Sequence, residues 1–537
     1  MRKMTFFFAV LYFSVIARAE DLESIFDSAA EKPAVTVEKV APKLEKMSPL
    51  VSALRKAVGI PNSEQNIFLR YVESGDWEKV ALQFSAAFEG TEFQKSANGR
   101  AIYGLAEFRA GLPITGLQTL FMATNPNDIH ELIQDEWRSS APVEHFAWGI
   151  AKIPWKPTWG VVFGAEQGIR IRIEEALASN DTSIEQLLSL SKLAPANSEL
   201  KARVDWQTAI AYAVKDQGDL AAKVLAGLMK NPKATVSKDL LQTTAARLLF
   251  QNGYFDPSVK YYEKVSKNSE YWTEAQEEIG WAYLRKGEPN NAKAISQSLT
   301  NPVLKFQTSP EAFFIQALSQ LKICDYKGVT ETLQQFPKRF KERTEVLEKM
   351  SVQVPVTEAD QSIALLKKQK IRQQDIGKLA QVLPRRFAHD EKLYRFAQVQ
   401  KHLEAEAEAA EKIYARSLAL TGLQASFDSI RQASLRRAEA AKSASYERLK
   451  DLARLEVAET KEILRKLHIV EAEVIQQVSL ADRVIKGSVG NKIADKQGVT
   501  GYKGTAEAVR FPSEREVWFD ELSNYRVDVK KACTVRR

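Results

Sequence analysis

The sequence predicts an all-α protein: a series of stacked helical hairpins, then a long helical hairpin of coiled-coil character, then a short C-terminal docking segment. Three observations predict it. Glycine-centred segments in the middle of the chain resemble one another at a spacing of 34 residues. Two later runs, of 37 and 64 residues, contain neither glycine nor proline. The second of these carries apolar residues mostly at three- and four-residue steps, the period of a helix with one buried stripe.

The hairpins come first. Residues 280 to 296 read GWAYLRKGEPNNAKAIS, with Gly280, Tyr283, Gly287 and Ala292 in fixed order. The preceding segment reads AARLLFQNGYFDPSVKYYEKV, and setting Gly253 against Gly287 places Ala246 on Gly280, Leu249 on Tyr283 and Ser258 on Ala292. Two antiparallel helices approach closely only where both lack bulk, so Gly280 and Ala292 would form a close crossing with Tyr283 filling the space beside it. A glycine just past the first helix supplies a backbone free to turn left-handed. The same register puts turns at Gly75, at Gly111 with Gly104 in the helix before it, at Gly218, and at Asp325-Tyr326. One such hairpin cannot bury its apolar faces alone and must stack on others.

These residues resemble the tetratricopeptide repeat, over roughly residues 60 to 340. The pattern departs from that family where Ser296 replaces a large residue and where turns lack glycine. What the resemblance implies is an α-solenoid that serves as a scaffold or adaptor, with a concave groove suited to an extended peptide or a helix.

The domain boundaries follow from composition. Residues 1–19 contain Arg2 and Lys3, an apolar run from Phe6 to Ile16, and Ala17-Arg18-Ala19, the pattern of a cleaved signal peptide. Cleavage before Glu20 would remove three cations and lower the net charge from +8 to +5, too mild to suggest nucleic acid. No later stretch reads as a membrane span. Residues 20–50 mix Pro, Ala, Lys and Glu as a flexible linker does. The hairpin array is assigned to 51–384 and the long helical hairpin to 385–486, turning at Thr421-Gly422, with a weak point in its stripe at Lys442-Ser443. Its apolar stripe includes Leu449, Leu452, Ile463, Leu467, Val470 and Val474, which could pack on the hairpin itself, on the array or on a second chain. Residues 487–537 begin as a Gly- and Lys-rich loop and end with Trp518, Phe519, Leu522 and Tyr525, too apolar for a free tail and suited to capping the array.

Two features stand outside this plan. Residues 147 to 168 hold Trp148, Trp155 and Trp159 among prolines and glycines. They read either as an aromatic loop for a sugar polymer or partner peptide, or as a packed insertion whose tryptophans fill the interior. Cys324 and Cys533 are the two cysteines, and export to an oxidising compartment permits them to pair.

The catalytic signatures HExxH, GxSxG and CxxC do not occur, nor does a complete phosphate loop, so no enzyme activity, catalytic residue, cofactor or metal site is expected. The expectation is an exported, periplasmic scaffold without a membrane span. It would bind envelope proteins in its groove, with self-association through the long helices as a further option. The alternative is a peptidoglycan- or polysaccharide-binding accessory protein using the tryptophan loop.

Overall fold

The structure is a computed structural model describing residues 47–140, 157–178, 182–234, 236–369, 371, 373–417 and 424–490. Among these, every regular element is helical and there is no strand. The compact unit begins at Pro49. The helices in order are α1 (Pro49–Val58), α2 (Ser63–Ser74), α3 (Trp77–Phe88), α4 (Glu92–Lys95), α5 (Ala97–Arg109), α6 (Pro113–Phe121) and α7 (Glu131–Ser139). After the tryptophan-rich stretch come α8 (Gly160–Phe163), α9 (Ala165–Ala178), α10 (Ile184–Leu193), α11 (Glu199–Val214) and α12 (Gly218–Met229). Then follow α13 (Lys238–Gln251), α14 (Phe255–Tyr262), α15 (Trp272–Lys286), α16 (Pro289–Leu299), α17 (Glu311–Lys322), α18 (Tyr326–Val352) and α19 (Val356–Lys368). Two long helices end the described chain, α20 (Glu391–Ser417) and α21 (Gln424–Gly490).

Among the described residues, one turn is used six times. The pairs α2–α3, α5–α6, α11–α12, α13–α14, α15–α16 and α17–α18 are each joined through one residue of positive φ: Gly75 (69°), Gly111 (92°), Asp216 (59°), Gly253 (80°), Gly287 (79°) and Cys324 (63°). The next residue's N–H reaches back across the helix end each time, as in Asp76 to Tyr71 O (3.1 Å), Gln217 to Tyr212 O (2.9 Å), Glu288 to Tyr283 O (2.9 Å) and Asp325 to Gln320 O (2.9 Å). This bond satisfies a carbonyl that the helix end would otherwise leave open. The following residue caps the second helix in one conformational region, from φ −82°, ψ 73° at Asp76 to φ −110°, ψ 61° at Leu112. Elsewhere helix starts are fixed by side chains. Asn62 and Ser183 each form a reciprocal capping box with a glutamine three residues on, and Ser96, Ser198 and Ser237 each accept a backbone N–H, an interaction worth about 1 kcal/mol.

Two glycines face each other in the second hairpin. A Cβ on Gly104 would lie 2.5 Å from Gly116 O, and one on Gly116 would lie 2.4 Å from Gly104 O, so α5 and α6 cross backbone to backbone. The α13–α14 crossing sits at the same 12-residue separation, with Ser258 Oγ donating to Ala246 O at 2.8 Å. Gly280 differs from the expectation. Its bare Cα faces Ile315 of α17, 3.1 Å from where a Cβ would be, so its small size serves the contact with the following hairpin. Ala292 and Tyr283 pack in the same neighbourhood, Ala292 fully buried and Tyr283 partly so.

The long helices form an antiparallel pair, with Glu411 opposite Arg431, Leu403 against Ala438 and Asp390 opposite Arg448. At 1.5 Å per residue α21 is about 100 Å long. It runs without the break that the weak stripe suggests at Lys442-Ser443. There Lys442 binds Asp360 of α19 and Ser445 is fully buried, so polar contacts replace apolar ones. Helix α21 shares cores with both ends of the hairpin series. Phe427 joins the cluster of Phe68, Phe84 and Phe88, while Ile463, Leu467, Val470 and Val474 join that of Phe313, Phe336 and Phe340. The clusters built by α9 to α15 around Ile173, Tyr212 and Tyr262 contain no residue of α20 or α21.

Candidate functional site

The structure separates the two readings of the tryptophan-rich stretch at one residue. Trp159 is 3% exposed, and its ring lies 4.3 Å from that of Phe121 in the first core cluster. It is a core residue. Trp148 and Trp155 lie outside the described residues, as do residues 1–46, the turn at Thr421-Gly422, the C-terminal segment from 491, and Cys533. The pairing of Cys324 with Cys533 therefore also lies outside them.

The expected repeat residues fall into two groups. Gly75, Gly111, Gly253 and Gly287 occupy left-handed turn positions. Gly104, Ala246, Gly280, Tyr283 and Ala292 lie within helices at packed positions. Gly218 belongs to neither group. It is the first residue of α12, and the left-handed position two residues earlier is filled by Asp216. An aspartate tolerates that conformation better than most side chains, and Asp216 also accepts a 2.9 Å hydrogen bond from Gln251 of α13.

Helix α17 is closed to solvent along almost its whole length. Every residue of α17 from Glu311 to Leu321 is buried, because α21 lies across the hairpins formed by α15 to α18. The seam between them is rich in charge. Arg343 of α18 donates to the carboxylate of Glu456 on α21, and to the carbonyls of Ala380 (2.9 Å) and Leu383 (3.1 Å). The N–H of Arg385 donates to the other oxygen of Glu456 (2.6 Å), and its guanidinium donates to both oxygens of Glu459 (3.1 Å). Burial works against the Glu456 charge, but Arg343 and Arg385 hold its carboxyl below the usual range.

Two carboxyls on the array side have no such arginine clamp. Glu277 of α15 accepts from the N–H of Ser309 (2.9 Å), and Glu311 of α17 accepts from Trp281 Nε1 (2.8 Å). Burial pushes Glu277 up to about 7, with Arg385 partly opposing it. Burial pushes Glu311 well above its ordinary value, and the charges of Glu277 and Glu459 push it further. From α21, Lys466 enters the same seam, 5.9 Å from the Phe314 ring centroid and 3.8 Å from Glu462. Burial pushes it down to about 8. None of these groups was singled out in the sequence, where they read as ordinary helix-surface charges.

The other candidates are plainer. A cleft of about 690 Å³ at the α18–α19 corner is walled by Val352, Val354, Pro355 and Val356, with Glu348, Lys349 and Gln353 around them. Among the described residues there is no group of three or more His, Cys, Asp or Glu arranged to hold a metal ion. Likewise, none of the described helices is long and apolar enough to cross a membrane. Compared with protein-family models and with curated proteins, the chain matches none of them.

Proposed function

We propose that the chain is an exported, periplasmic scaffold of the tetratricopeptide-like class, which binds other envelope proteins and holds them in one assembly. The observation that carries this reading is the sixfold use of one helix–turn–helix geometry, since hairpins stacked in series present extended surface suited to a peptide or helix. The hairpins of α10 to α14, whose clusters contain no residue of the long helices, are the surface offered to a partner. The long helices act as a brace joining the first hairpins to the last. Peptidoglycan binding through a tryptophan platform draws less support, because Trp159 is spent on the core.

Site-specific photocrosslinking in intact cells tests this. A photoreactive residue is placed at Gln207 or Val214, both exposed on α11, and for comparison at Lys327, exposed on α18. The expected result is a discrete protein adduct from α11 that is absent from Lys327. Identical background labelling at all three positions, or recovery of cell-wall fragments alone, would overturn the proposal.

A further inference from the structure

The seam between α21 and the last hairpins holds carboxylates in excess of cations, where water is excluded. Glu277, Glu311 and Glu456 are 5%, 3% and 7% exposed, and Glu459 lies beside them on Arg385. Facing these four are Arg343, Arg385 and Lys466, with Glu462 at the edge on Lys466. Arg343 and Arg385 are committed to Glu456 and Glu459. Glu277 then faces the Ser309 N–H, Arg385, Glu459 and Glu311; Glu311 faces the Trp281 N–H, Glu277, Glu459 and Lys466. An uncompensated charge in such a place costs more than keeping a proton.

We propose that the docking of α21 from Glu456 to Val474 on α17 and α18, beside Glu277 of α15, is a protonation-controlled latch. It is closed while Glu277 and Glu311 both hold their protons and released when the proton of Glu277 passes to solvent, which uncovers α17. Two directions of titration act together. Raising pH from about 6 to 9 ionises Glu277, which burial pushes up to about 7, and it discharges Lys466, which burial pushes down to about 8. Both changes make the seam more negative. The helix is the part free to leave. The rings of Phe313, Phe336 and Phe340 pack on one another within α17 and α18, while α21 remains held at its other end through Phe427. The latch does not depend on the scaffold reading above.

Hydrogen–deuterium exchange of the full chain at pH 6, 7.5 and 9, corrected for intrinsic exchange, tests it. Peptides covering 456–474 should lose protection at least tenfold across that range, while peptides covering 184–229, in hairpins remote from the seam, keep theirs. In the double variant Glu277→Gln, Glu311→Gln, which mimics the protonated pair, protection at pH 9 should stay at its pH 6 level. Protection of 456–474 that is constant with pH would overturn the latch. So would an equal loss in 184–229, or a loss in the double variant matching that of the wild type. Should the double variant fail to fold, the contrast between the two segments of the wild type decides the matter alone.

Discussion

Hairpins α13–α14 and α17–α18 turn through the same backbone geometry, yet they live in different surroundings. In α13, burial is confined to Leu241, Gln242, Thr243, Ala246 and Leu248, whereas α17 is buried from Glu311 to Leu321. The sequences differ accordingly. KDLLQTTAARLLFQ interleaves its apolar residues with Gln242, Thr243, Thr244 and Arg247, while EAFFIQALSQLK places Phe313, Phe314 and Ile315 side by side and so is apolar around most of its girth. A helix apolar all round needs neighbours on every side. Neighbouring hairpins cover part of α17, and α21 covers the rest. The difference teaches that the brace is specified twice, once in the stripe of α21 and again in the composition of the helix it covers.

The sharpest way to break this comparison is to remove a ring from each hairpin. Phe314 is 2% exposed, edge-on to Trp281 at 5.9 Å, and Phe314→Ala should cost about 4 kcal/mol in chemical denaturation, as truncation of a buried ring does. Phe250→Ala on α13, where the ring is only partly buried, should cost about half as much. Equal costs would mean that coverage by α21 adds nothing to α17.

The next effect is in pH. Glu277, lying in a fully buried seam, is pushed up from 4.5 to about 7. Between those values the folded protein holds a proton that the unfolded chain has released, so stability falls as pH rises from about 4.5 to 7. By linkage one such group removes about 3 kcal/mol over that window. Glu107 in α5, bonded to Thr119 and pushed up by burial to about 7 as well, adds a second fall of the same sign. Glu311, which burial raises as well, adds to the fall, so stability measured from pH 4.5 to 8 should decline in wild type and Glu277→Gln should make that decline shallower. A flat wild-type profile would show that none of these carboxyls keeps its proton in the fold.

These features differ in how far the sequence exposes them. The all-helical class was legible, because its signals are local: glycine-centred turns, glycine-free runs and a three–four apolar period. The unbroken course of α21 through Lys442 was less so, since Asp360 and the surroundings of Ser445 come from elsewhere in the chain. The contact between Gly104 and Gly116 has only a faint signal in sequence, the 12-residue separation it shares with Ala246 and Ser258. The seam was not legible. Glu277 and Glu311 meet Glu459 and Lys466 from far along the chain, and nothing local distinguishes a buried glutamate from a solvated one. Trp159 was ambiguous for the same reason: Phe121, which decides its role, lies 38 residues earlier.

The smallest effect tests the turn itself. At Gly253, with φ 80° and open space around the position of a Cβ, alanine meets no atom and pays only for the left-handed backbone. Gly253→Ala should cost about 1 kcal/mol. Gly218 aligns with Gly253 at a 35-residue spacing, yet it begins α12 and its φ is not left-handed. A Cβ there would lie 3.2 Å from Asn252 Nδ2, a side-chain amide that donates to Leu248 O. Moving that amide by a few tenths of an ångström offsets the gain in helix propensity, about 0.5–1 kcal/mol, that alanine brings over glycine. Gly218→Ala should therefore be neutral within about 0.5 kcal/mol. Asp216→Gly should gain less than the left-handed strain it relieves, about 1 kcal/mol, because it also gives up the hydrogen bond from Gln251. If Gly218→Ala instead costs as much as Gly253→Ala, the turn runs through Gly218, and the α11–α12 hairpin does not share the geometry of the other five.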